Sequence, residues 1–244
     1  MIGIFDSGIG GVTVFREILK QLPNYSYIYY SDSQNNPYGD KTPEELLQIT
    51  ENIVNYLIGE GCQIIVIACN TASAICRDYL RDKFHVPIIA IEPAYKMVYD
   101  TNFEGKTLIL ATKGTLESEK FQELYHKYDN HHTIIYECVG LADLIENNQD
   151  QEIDAYLKRH LEAFLGVENV VLGCTHYPLI QDKLKKVLGN VLFYDGSFGV
   201  VKELERVIKT IHLEEKPLSI CFIDSSKSPL KKERFEEILG QRVN

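Results

Sequence analysis

The sequence predicts an α/β protein of two similar Rossmann-like or flavodoxin-like lobes, with mostly parallel sheets and a site in the cleft between them. Three observations predict it. Short apolar runs of strand length alternate with amphipathic stretches of helical period along the chain. One such unit, IIVIACNTAS at 64–73, ends its apolar run at Cys69 and turns through Asn70 and Thr71 into a helical pattern. A second, VVLGCTHYP at 170–178, repeats that grammar with Cys174, Thr175 and His176. In this fold class the residue just past a buried strand lies at the carboxyl edge of the sheet, where ligands bind and helix N-termini present free N–H groups. The repeated unit therefore predicts two lobes that bring Cys69 and Cys174 to one substrate.

In chain order, residues 2–5 form a short buried strand. The Gly-rich turn Asp6-Ser7-Gly8-Ile9-Gly10-Gly11 then leads into an amphipathic helix over 12–22, ended by Pro23 and Asn24. Such a turn lets backbone amides approach an anion. Asp32, closing a strand at 27–31, stands near where a dinucleotide fold carries its ribose-binding acid. Against nucleotide binding, Thr13 holds the third glycine position and Asp6 places negative charge where pyrophosphate would lie. A zwitterion suits the turn better, its carboxylate on the amides and its ammonium on Asp6. Residues 36–40 are turn chemistry, in which Tyr38 either bonds a ligand or covers the core. Thr42, Pro43, Glu44 and Glu45 open a helix to about 58, where Gly59 and Gly61 break it. The Cys69 strand, a helix to about 84 and a strand over 87–91 follow.

Over 92–102 the chain passes to the second lobe. There the expected elements are a strand at 108–111 ending in Thr112, a helix from Thr115 to about 128, and a strand at 133–138. A short helix start at 141–146 follows, whose Glu146 faces either cleft or water, then an amphipathic helix over 150–165. After the Cys174 strand come a helix at 179–188, a strand at 191–194 and a helix over 197–209. A strand at 217–223 and a helix at 229–239 end the chain. The expected division is a first lobe over 1–92 with Asp6 and Cys69, a second over 93–208 with Glu146, Cys174 and His176, and a segment over 209–244 that returns to the first.

Composition narrows the function. A chain of 244 residues with net charge −10 has no basic stripe for a phosphate backbone, so no nucleic-acid partner is expected. No apolar run reaches the ~18 residues of a membrane span, and the first residues lack a basic, then apolar, export signal, so the cytoplasm is the expected address. In that compartment Cys62, Cys69, Cys76, Cys138, Cys174 and Cys221 read as free thiols. Cys62, Cys76, Cys138 and Cys221 read as small buried hydrophobes.

A free thiol titrates near ~8.5, and a helix N-terminus or a neighbouring His176 favours its charged form. One activated cysteine reads as the nucleophile of a hydrolase or transferase. Two at matching positions on facing lobes read as two bases, one for each face of a flat carbanion, with Asp6 and His176 shuttling protons to them. A structural metal is a poorer reading, because Cys-x-His without a second cysteine pair is a weak zinc signature. No cofactor is expected, since neither a Schiff-base lysine nor a phosphate cup accompanies the cysteine motifs.

The residues Phe5-Asp6-Ser7-Gly8, Pro37-Tyr38-Gly39, Ala68-Cys69-Asn70-Thr71-Ala72-Ser73 and Gly173-Cys174-Thr175-His176-Tyr177-Pro178 strongly resemble the signatures of the glutamate racemases, in the aspartate/glutamate racemase superfamily. The resemblance runs through nearly the whole chain. It implies cofactor-independent interconversion of L- and D-glutamate, which supplies D-glutamate for peptidoglycan, by a homodimer. It implies Cys69 and Cys174 as bases, with Asp6, His176 and Glu146 assisting proton transfer. It also implies Asp6, Ser7, Tyr38, Gly39, Asn70, Thr71, Thr112, Thr175 and His176 as substrate-holding residues. Aspartate racemisation and amino-acid binding without catalysis stay open. Gln34-Asn35-Asn36 stand where the family carries an arginine.

Overall fold

Runs of Ile, Val and Tyr too short for a helix become strands, and helices cover both faces of the sheets they form. The computed structural model describes residues 1–102, 104–129 and 131–243. Among them the strands are β1 (Ile2–Asp6), β2 (Ser26–Ser31), β3 (Ile64–Ile67), β4 (Ile88–Ala90), β5 (Thr107–Ala111), β6 (Thr133–Glu137), β7 (Asn169–Gly173), β8 (Leu192–Tyr194) and β9 (Ser219–Asp224). They make two sheets of parallel strands, ordered β4-β3-β1-β2-β9 and β6-β5-β7-β8. Within each lobe the second strand lies beside the first, then come the third and fourth. Each sheet therefore has its topological switch point between its first and third strands, where Phe5 pairs with Ile67 and Ala111 with Gly173.

The helices are α1 (Val12–Gln21), α2 (Pro43–Gly59), α3 (Asn70–Lys83), α4 (Tyr95–Asn102), α5 (Lys113–Leu116), α6 (Glu119–Tyr128), α7 (Leu141–Glu146), α8 (Asp150–Leu161), α9 (Gln181–Leu188), α10 (Ser197–Ile211) and α11 (Pro229–Leu239). On one face of the first sheet α1, α10 and α11 bury Phe15, Val201, Leu204 and Phe235 against Ile4, Tyr29 and Phe222. On its other face α2 and α3 bury Val54, Leu57 and Leu80 against Phe5 and Ile67. The second sheet is covered by α7, α8 and α9 on one side and by α4 and α6 on the other. None of the helices among the described residues is long and apolar enough to cross a membrane.

Several elements differ from expectation. The passage at 92–102 is not plain linker but carries α4, whose Tyr95 and Val98 are buried on the second sheet. The helix expected from Thr115 is broken in two: Ser118 accepts from the Phe121 amide at 3.1 Å and donates to the Thr115 carbonyl at 2.7 Å, capping α6 and closing α5. The helices expected over 150–165 and 179–188 each contain a short 3-10 turn, Glu162–Phe164 and Tyr177–Ile180. Helix α10, expected with the second lobe, packs on the core of the first, alongside α1. Strand β9 pairs with β2 along its length and α11 follows it onto the same core.

Candidate active site

Both cysteines stand just beyond the third strand of their sheet. Cys69 is the N-cap residue of α3, and Cys174 directly follows β7. Both are buried, and negative charge on Cys174 is a lesser cause among those that raise the Cys69 thiol. Burial is the larger cause pushing Cys69 up, and the Asp6 carboxylate adds to it. The Cys69 sulfur donates to Ser7 Oγ at 3.8 Å, while the Cys174 sulfur meets His176 Nδ1 at 3.7 Å.

The Gly-rich turn after β1 is shaped by the second lobe. A Cβ on Gly8 would sit 2.5 Å from Glu146 Oε2, and one on Gly10 would sit 2.6 Å from His176 Nδ1. The glycines thus admit an acid and an imidazole across the lobe boundary. Two of the turn's amides, expected to take a carboxylate, are held by side chains: Gly8 N–H donates to Asp6 Oδ2 at 3.1 Å and Ile9 N–H to Glu146 Oε2 at 2.9 Å. Asp6 is buried, and desolvation outweighs its hydrogen bonds and the nearby His176, so its carboxyl is raised. Thr175 Oγ1 donates to Asp6 Oδ1 at 3.1 Å, and Thr13 Oγ1 to the Thr175 carbonyl at 3.2 Å.

Glu146, left open between cleft and water, lies in the cleft at 3% exposure. Its Oε2 meets His176 Nε2 at 2.7 Å, and its Oε1 accepts from Lys231. Burial alone would raise this carboxyl, but His176 and then Lys231 outweigh it and hold it down at about 2. Burial alone would likewise lower His176; hydrogen bonds and charge from Cys174 and Glu146 reverse that and hold the imidazole well above its ordinary value. A charged imidazole between the sulfur and a carboxylate can give a proton to the thiolate and, once neutral, take one back.

Ser7, Tyr38, Gly39, Thr71, Thr112 and His176 are among the residues lining a small cavity of about 50 Å³ between the lobes, room for a few waters. Thr71 and Thr112 hydroxyls meet across the lobes at 2.9 Å. Asn70 Oδ1 is buried with no hydrogen-bond partner among the described residues. Tyr38 is buried, its hydroxyl donates to Asp32 Oδ2 at 2.6 Å, and it is among the residues lining the cavity. Asp32 also takes the Asn35 amide at 3.0 and 3.1 Å, which commits it to this loop rather than to a ribose. Asn36 Nδ2 donates to Asp143 Oδ1 of the second lobe at 3.3 Å, so in the segment over 34–36 Asn35 holds its own loop while Asn36 reaches across the cleft. All six cysteines are free, and among the described residues no group of three or more His, Cys, Asp or Glu is set to hold a metal ion.

Sequence reasoning missed Lys231 and Arg234, which reach the site from α11. Arg234 donates through both terminal nitrogens, to the Glu146 carbonyl at 2.8 Å and the Ile145 carbonyl at 2.6 Å. The one signal was their spacing of three, which sets two cations on one helix face within an ordinary amphipathic pattern.

The chain is 40% identical over 220 residues to a glutamate racemase of Clostridium perfringens, covering 87% of this chain and 85% of that one. In structure it is similar to a glutamate racemase of Bacillus anthracis, with a TM-score of 0.88 at 28% identity over 100% of this chain and 95% of that one. It is similar also to the glutamate racemase of Francisella tularensis solved in complex with D-glutamate, with a TM-score of 0.80 at 27% identity over 100% and 96% of the two chains. Residues 2–203 match the family model of the Asp/Glu/hydantoin racemases, and the chain belongs to that family.

Proposed function

We propose that the protein interconverts L- and D-glutamate without a cofactor, with Cys69 and Cys174 as bases on opposite faces of the α-carbon. The observation that carries this reading is the equivalence of the two cysteines, each just past the third strand of a sheet with the same strand order. One sulfur, as thiolate, takes the α-proton, and the electron pair of the broken C–H bond delocalises into the substrate carboxylate. The opposite thiol gives its proton to the other face and becomes the thiolate. Atoms and charge balance, and the reverse reaction exchanges the two roles.

Burial, with the Asp6 charge, pushes the Cys69 thiol up and so favours its neutral form. A turnover begun by Cys174 therefore finds its proton donor ready. A turnover begun by Cys69 must first remove that proton, and Asp6, with its raised carboxyl, is the acceptor on that side. His176 and Glu146 serve Cys174. The unpartnered Asn70 Oδ1 supports a substrate ammonium contact, and the Thr71–Thr112 pair supports a substrate carboxylate between the lobes.

Proton NMR of L-glutamate in deuterated water tests the reading: the α-signal should vanish as both enantiomers become deuterated. Aspartate run in parallel tests the substrate, since one methylene sets pocket depth. Cys69→Ser and Cys174→Ser should each lower racemisation by about a thousandfold or more. Substantial turnover by either variant removes that cysteine from the mechanism. The family relationship further supports a cytoplasmic homodimer that supplies D-glutamate to peptidoglycan, with no nucleic-acid or membrane partner. Sedimentation velocity of the purified chain tests the dimer.

A further inference from the structure

We propose that Lys231 is a positioning residue for proton transfer at Cys174, acting through Glu146 and His176. The proposal rests on the two-base reading above and deepens it. Each link is a direct contact: Lys231 Nζ on Glu146 Oε1, Glu146 Oε2 on His176 Nε2 at 2.7 Å, and His176 Nδ1 on the Cys174 sulfur at 3.7 Å. Oε2 faces its own lobe's His176 and the first lobe's Ile9 amide, while Oε1 accepts from the cation of α11. One helical turn on, Arg234 grips the carbonyls of Ile145 and Glu146, fixing the backbone that carries the acid. Phe235, the next residue, is fully buried in the first-lobe core and anchors α11.

At 3% exposure Glu146 can stay charged only with strong partners, and Asp6 and Asp143 oppose its charge from nearby. Without Lys231 the carboxylate loses a cation and either protonates or turns toward His176 alone. In both cases the imidazole changes charge or angle, and the sulfur it serves is Cys174 and not Cys69. Lys231 also lies beyond residue 203, where the family match ends.

The two enantiomers are equal in energy, so any variant must lose kcat/KM by the same factor in both directions. Rates alone therefore say nothing about which cysteine is affected, whereas α-deuterium isotope effects do. In Lys231→Met, kcat/KM should fall about tenfold or more. The isotope effect should rise with the α-deuterated enantiomer whose proton Cys174 takes, and shrink with the other. Lys231→Arg should keep both effects near the parent's. Lys231→Ala supplies a second variant: the Lys231 side chain is 21% exposed, so added ethylammonium should reach the vacated position and restore part of the rate. A lower rate with both isotope effects unchanged would make Lys231 a structural tie and overturn the proposal, as would an unchanged rate. Cys174→Ser, run alongside, separates the two readings: if it still turns over, the two-base assignment itself has failed, whatever Lys231 does.

Discussion

Glu146 is where the charge balance of the site is set. Its carboxyl lies at about 2, against an ordinary 4.5, so it adds stability above 4.5 that is lost as pH falls from there toward 2. That shift corresponds to on the order of 3 kcal/mol at neutral pH. His176 has the opposite sign: its raised value adds stability that is complete below 6.5 and is lost as pH rises through the higher folded value. Glu146→Gln removes the first contribution and weakens the second. Urea unfolding should show the variant clearly less stable than the parent at pH 7, with the gap shrinking to about half or less at pH 3. A constant difference across that range would mean that Glu146 is not ionised in the folded protein. The two cysteines, Asp6 and His176 were legible at this scale because each closes a strand or opens a turn within its own motif. The purpose of Gly8 and Gly10 was not, because the side chains that need their space arrive from the other lobe.

Elements were legible wherever one period ran to a clear stop. The helix opened by Thr42 is such a case, and its capping box is formed. Where a polar residue inside an amphipathic run turns its side chain back to the backbone, the pattern reads through a break that the chain makes. Ser118 does this between α5 and α6. Its consequence reaches the cleft, because the short α5 is capped by Thr112 and holds Thr115, both bonded to Thr71. Ser118→Ala leaves the Phe121 amide without its cap and should cost about 1 kcal/mol. The measurement is the urea midpoint at an unchanged denaturant slope. No shift would show that a continuous helix serves as well as the broken one.

For the whole molecule, the doubled strand-cysteine-turn unit was enough to read two lobes, because like units in an α/β chain build like sheets. The return of the segment over 209–244 to the first lobe was expected. What the pattern did not carry is that α10 joins it there, so that the whole end of the chain packs on the first sheet and supports the site from behind. That arrangement depends on long-range packing: Phe235 stacks with Phe222 and with Phe15, their ring centroids 4.4 and 6.2 Å away, and lies 4.8 Å from Tyr29. Phe235→Ala should therefore act at two levels. Loss of the ring from a packed core should cost about 3–5 kcal/mol of unfolding free energy. Because the same helix carries Lys231 and Arg234 to Glu146, a loosened α11 should also disconnect the Cys174 side of the cleft before the protein unfolds. Racemisation and circular dichroism followed together through a urea titration should then separate in the variant, with activity lost first, while in the parent they coincide. Coincident curves in the variant would show that α11 stabilises the lobe without holding the site.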